Sequence, residues 1–277
     1  MFKTKLKTLA AAVALTGSMG AMATPLPVTI TNADGSFSPL SGFDWDALGT
    51  AAVYGFTATT GNNFTIDFWA TATSLSLEGG GLIPEGNLVR RLGDSGTYEY
   101  TVFGHLNETA TCPTPASCTF NITGGNFAVY YDTTPDGNYK TGAGITDGVK
   151  IFSGLVGPQA GGSFTAISAT SGFGFSTILA WINQTDPAYV TPDLGGANSV
   201  TTLQLGIFNT NGWLASDISG SPGNNGASNP FGPTNVPSLV LQVDMNTSVT
   251  SVPEPGALAL IGLGLAGLGY MRRRKAA

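Results

Sequence analysis

Oxygen-bearing side chains recur through Asp132-Thr133-Thr134-Pro135-Asp136-Gly137-Asn138. Alternating oxygen ligands followed by a glycine that allows a sharp turn are what Ca²⁺ requires of a loop. Asp132 and Asp136 are the candidate ligands, and Asp147 is placed to add another across the loop. The proline is foreign to such loops, and no glutamate stands at the twelfth position to close the site. A solvated Asp-Gly hairpin turn is the competing reading. No other cofactor is expected.

Catalytic chemistry has few candidates. His105 is the only histidine, so a Ser-His-Asp triad would have to use it, yet Gly104, Leu106 and Asn107 around it form no signature. The chain has no Gly-x-Ser-x-Gly elbow, no His-Glu-x-x-His pair and no phosphate-cradling glycine loop. A carboxylate pair for glycoside hydrolysis is defined by three-dimensional separation and cannot be read from spacing. Trp45, Trp69, Trp181 and Trp213 either stack on sugars or pack the core, and Trp213 follows a loop-like Asn211-Gly212. The Asn-x-Ser/Thr triplets at Asn63, Asn107, Asn121, Asn183 and Asn246 are what chance supplies in a chain this rich in Asn and Thr.

Cys112 and Cys118 enclose Pro-Thr-Pro-Ala-Ser. Two cysteines and one distant histidine are too few for a structural zinc site. In an oxidising compartment they form a disulfide. It should clip a hairpin tip between strands ending near Leu106 and starting near Thr119. So short a loop gains only about 2 kcal/mol from the link.

Both ends of the chain carry export features. Lys3, Lys5 and Lys7 precede an apolar run from Leu9 to Leu15, and Ala21-Met22-Ala23 follows. This is a signal peptide, residues 1–23, cleaved after Ala23 so that the mature chain starts at Thr24. At the other end stand Val252-Pro253-Glu254-Pro255, an uncharged stretch 256–271, and the cluster Arg272-Arg273-Arg274-Lys275. At 1.5 Å per residue the stretch makes roughly 24 Å of helix, a short span whose basic flank can snorkel. The basic cluster stays cytoplasmic and the body faces outward. The two prolines keep the segment before the span extended, as a protease requires.

The order of motif, Gly-rich span and terminal basic cluster resembles the PEP-CTERM sorting signal recognised by exosortases. The resemblance implies cleavage near Pro253-Glu254-Pro255, transient anchoring in the inner membrane, and delivery to the surface or extracellular matrix. It also implies a Gram-negative, exopolysaccharide-making bacterium as the host.

The elements between the ends are strands. The chain is 277 residues long, 42% hydrophobic and 10% charged, with 39 Gly and 16 Pro, which disfavours long helices and suits short strands and tight turns. Only Arg90, Arg91, Lys140 and Lys150 of its basic residues lie in the body, which is therefore more acidic than the formal net charge of −6. Such a surface repels phosphate backbones, so no nucleic acid is expected as a partner. Alternation places Phe64, Ile66 and Phe68 on one face, and Tyr98, Tyr100 and Val102 on another. Phe127–Tyr131, Val149–Phe152, Ser163–Ala169, Phe173–Ile182, Val200–Phe208 and Ser238–Met245 read as further strands. Ser219–Pro237 reads as a long loop. The expected fold is all-β: a single antiparallel, jelly-roll-like β-sandwich over 24–245, with a closed barrel as the alternative. Residues 246–251 would be a stalk, and 252–277 the sorting signal with its transmembrane helix.

The body is also similar to the flocculation-associated PEP-CTERM proteins. Phe43-Asp44-Trp45, Gly49 to Val53, the strand from Phe64, Asn126 to Asp132 and Gly148 to Gly154 carry that resemblance. It implies a non-enzymatic matrix protein that retains exopolysaccharide and promotes flocculation or biofilm formation, with exosortase and exopolysaccharide as partners. It supplies no catalytic residues. The alternatives are a calcium-assisted carbohydrate-binding module and, behind it, a secreted glycoside hydrolase.

Overall fold

The computed structural model describes residues 27–83, 86–168, 171–195, 199–209 and 239–251. The strands in chain order are β1 (Val28–Asn32), β2 (Gly35–Trp45), β3 (Gly49–Tyr54), β4 (Asn63–Leu77), β5 (Leu82–Ile83), β6 (Glu99–Thr114) and β7 (Ser117–Asp132). They continue as β8 (Val149–Val156), β9 (Gln159–Ser168), β10 (Ser171–Thr185), β11 (Val190–Thr191), β12 (Ser199–Asn209) and β13 (Leu239–Ser251). All of them belong to one 13-stranded sheet, paired antiparallel throughout.

Two of the long strands are broken. β2 and β3 both pair with β4 and both with β13, so they are halves of one bent strand. Buried Asp46 sits at that break and accepts Arg91 Nε at 2.5 Å and Nη2 at 3.0 Å. β8 and β9 likewise share β7 and β10, and the break falls at Gly157-Pro158. Proline lacks the N–H that a continuous ladder needs. With the halves joined, each long strand pairs with the next in sequence, and β13 returns to β2 and β3.

The all-β, antiparallel expectation holds, and the strand order refines it. The connectivity is a meander rolled onto itself, because short turns such as the one between Thr114 and Ser117 force consecutive strands to pair. Rolling removes the open edges of the ring.

The inside is filled by side chains. Phe64, Ile66, Phe68, Tyr98, Tyr100 and Val102 all lie in one buried cluster with Phe43, Trp45, Phe127 and Met245. Alternation fails where both faces are covered. Ala52, Trp69, Phe103, Ala128 and Tyr130 point outward yet are buried, with Ile145 among them. The segment between β7 and β8 lies over them: Trp69 Nε1 donates to Tyr139 O at 2.8 Å, and Thr101 Oγ1 to Ile145 O at 2.5 Å.

Residues 246–251, expected to be a stalk, are instead the second half of β13. Asn246–Ser248 pair with Gly42–Asp44 of β2, and the stretch to Ser251 pairs with β12. Met245, Thr247 and Val249 turn inward while Asn246, Ser248 and Thr250 face solvent. Their polar composition hides that period of two. Trp45 Nε1 donates to Thr247 Oγ1 at 2.6 Å and ties the closing strand to the core.

The strands flanking the cysteines also run further than expected, past Leu106 and back from Ser117. The Cys112–Cys118 disulfide therefore lies within the β6–β7 hairpin, next to its tip.

Candidate functional site

Along β10, Ser176, Ile178, Ala180 and Ile182 turn inward, as the period of two requires. The other face carries Phe173, Phe175, Leu179 and Trp181, which are 56%, 64%, 47% and 46% exposed. Scattered apolar surface residues are ordinary, but a row of large ones on one strand marks a contact surface. Hydroxyls flank the row. Thr165 of β9 pairs with Phe173, Ser163 pairs with Phe175, and Thr177 stands within the row itself. Exposed Leu155 of β8 pairs with Trp181.

The break between β8 and β9 shapes this face. The ladder along β10 passes from Gly162 opposite Ser176 to Val156 opposite Ala180. In the gap, Gln159 takes the place of backbone: its Oε1 accepts Leu179 N at 2.8 Å and its Nε2 donates to Leu179 O at 2.7 Å. Trp181 lies over Gly157, where an added Cβ would stand 2.8 Å from its Cζ3. The glycine makes room for the Cζ3–Cη2 edge of the indole, and nearly half of Trp181 remains exposed.

The row ends at a polar cleft of about 530 Å³. Gly154 pairs with Ile182 but Ser153 pairs with Gln184, so Asn183 is the extra residue of a β-bulge. A bulge re-aims side chains, and here Asn183 and Gln184 are both exposed. They line the cleft with Lys150, Thr185, Asp186 and Asp193. The walls are fixed locally: Leu194 N donates to Thr185 Oγ1 at 3.0 Å, Asp186 N to Ile151 O at 2.8 Å, and Ser153 Oγ to Gln184 Oε1 at 3.2 Å.

The candidate calcium ligands do come together. Carboxylate oxygens of Asp132, Asp136 and Glu99 lie within 4.8 Å of one another. Glu99 is buried, and its Oε1 accepts Asp136 N at 3.1 Å and Gly137 N at 2.9 Å. Burial pushes its carboxyl up to about 7, against those two backbone donors, and the charges of Asp132 and Asp136 add to the rise. Asp147 is raised by burial first and then by Asp136 and Asp132, so it faces the same cluster. Sequence spacing missed Glu99, which is the ladder partner of Asp132 across β6 and β7. Its signal was an acidic residue between Tyr98 and Tyr100, on the face away from the core. Three converging carboxylates are a donor set suited to a hard cation.

The remaining candidates separate. His105 Nδ1 pairs with Asp67 Oδ1 at 2.5 Å, with Asp67 fully buried, and the ladder puts Asn126 on the other side of His105. Trp45 and Trp69 are core residues. Trp213 lies outside the described residues, as do Ala21, Ala23, Thr24, Val252, Pro253, Glu254, Pro255, Arg272, Arg273, Arg274 and Lys275.

The tail is identified by comparison. Residues 251–275 match the PEP-CTERM protein-sorting motif. No curated protein and no solved structure matches the chain. The chain carries the PEP-CTERM sorting motif, and is thereby an exported protein that exosortase processes after transient membrane anchoring and before surface display.

Proposed function

We propose that this protein is a non-enzymatic component of the cell surface and extracellular matrix that associates with exopolysaccharide and promotes flocculation or biofilm formation. The observation that supports this is the outward row of β10, large apolar side chains flanked by hydroxyls on a protein sorted to the surface. Many weak contacts along a polymer add up through effective concentration. Deleting the gene should weaken flocs and move polysaccharide from the cells into the medium. Unchanged flocs and unchanged cell-bound polysaccharide would overturn the role.

A second reading is a calcium-assisted carbohydrate-binding module, favoured by the convergence of Glu99, Asp132 and Asp136. Calcium at a hundredfold excess over Kd adds about 2.7 kcal/mol to stability. That raises Tm by roughly 5–10 °C for a body of this size. Calorimetry should register the binding heat, and Asp132→Asn should remove both effects. A chain that gives no heat and no shift with calcium has no such site.

A further inference from the structure

We propose that the outward face of β10 and the polar cleft at its end form one continuous binding site for a neutral polysaccharide chain, with Trp181 as its anchor. The inference rests on the polysaccharide-association reading and assigns it a place and a charge class.

The surface combines two chemistries that a sugar chain needs together. A pyranose ring has an apolar C–H face that stacks on aromatics and a rim of hydroxyls that needs hydrogen-bond partners. Outward side chains on a strand recur about every 6.6 Å, so Phe175 and Trp181 are roughly 20 Å apart, room for several rings. Ser163, Thr165 and Thr177 supply hydroxyls beside that track. At its end the bulge at Asn183 turns two amide side chains into the cleft, beside Asp186 and Asp193.

Other occupants fit less well. A membrane or a second copy of the chain wants a broad unbroken apolar patch, whereas this row, even with Leu155 and Ile167 on the neighbouring strands, is interrupted by Thr177 and bordered by Ser163 and Thr165. Charge selects among glycans. The body carries few cations, and Lys150 shares the cleft with Asp186 and Asp193. A polyanionic chain would be repelled along most of the surface, while a neutral one is not. The platform is also built rather than incidental. Gly157 leaves room for the edge of the Trp181 indole, and Gln159 holds the backbone of Leu179 across the gap.

Affinity electrophoresis of the mature protein recovered from the cell surface tests this. The gels would contain polysaccharide stripped from the producing cells, separated into neutral and acidic pools, with dextran and alginate as reference polymers. The neutral pool should retard the wild-type chain. Trp181→Ala should weaken that retardation roughly tenfold or more, the usual cost of losing a tryptophan hot spot. Phe175→Ala and Asn183→Ala should each weaken it severalfold, while exposed Leu92→Ala should not. Equal retardation of Trp181→Ala and wild type, or retardation by the acidic pool alone, would overturn the site. The two levels separate in the deletion strain. If flocs are lost on deletion but restored by the Trp181→Ala chain, the site falls and the matrix role stands. If deletion changes nothing, the role itself falls, whatever the gels show.

Discussion

Alanine at Gly42 is expected to lower the unfolding free energy by about 3 kcal/mol or more, the upper range for overpacking a filled site. Gly42 lies where β2 passes between β13 and β4, opposite Ser248 on one side and Ser76 on the other. A Cβ there would stand 1.7 Å from Thr247 O, 2.8 Å from its carbonyl carbon and 3.0 Å from Ser248 Cα. All three are backbone atoms, so no side-chain rotation relieves the overlap. Relief requires parting β2 from β13, which opens the ring and pulls Thr247 away from the Trp45 indole. For a domain stable by 5–15 kcal/mol, such a loss is a large fraction. Urea unfolding measures it. Gly124→Ala is the control, since a Cβ there would meet nothing closer than Val156 O at 3.8 Å. Equal midpoints for the two variants would contradict the closed ladder.

Stability should fall, not rise, as pH increases from about 4.5 to 8. Glu108 lies on the inward face of β6 between Leu106 and Ala110, opposite Phe64 and Ile122. Its Oε2 is buried without a hydrogen-bond partner, and burial pushes the carboxyl up to about 7. Glu99 is raised to about the same value, first by burial. In the unfolded chain both titrate near the ordinary glutamate value. Below that value both states are protonated and nothing is lost. Between it and about 7 the folded state holds protons that the unfolded state has released, so rising pH favours unfolding. Each carboxyl then costs on the order of 3 kcal/mol once ionised. Asp147 and Asp244, also raised chiefly by burial, act in the same direction. Glu108→Gln removes one of the two large contributions. It should match wild type near pH 4.5 and exceed it by roughly 2–3 kcal/mol at pH 8. A Glu108→Gln chain with the wild-type pH slope would show that this carboxyl is not confined in the core.

Much of this architecture was legible in the residues. Alternation at Phe64–Phe68 marked a real strand with those three side chains on one face, and Phe173–Ile182 marked another, whose exposed apolar face the residues alone did not announce. The spacing of Asp132 and Asp136 marked carboxylates that converge, and the tail carried its own motif. What stayed hidden depended on partners distant in the chain. Glu99 joins the acidic cluster through ladder register, which local spacing does not encode. Trp69 faces outward yet is buried, because the segment around Tyr139 and Ile145 covers it. Asn246–Ser251 look like a polar linker, since only alternate positions meet the core. The bulge at Asn183 exists only relative to Gly154 and Ser153 on the neighbouring strand.

The most direct measurement is mass spectrometry of the protein recovered from the surface of its own cells. The recovered chain should begin at Thr24 and end within residues 252–255, without the apolar stretch or the Arg272–Lys275 cluster. A full-length chain in the cytosol, from Met1 to Ala277 with neither end cut, would contradict this.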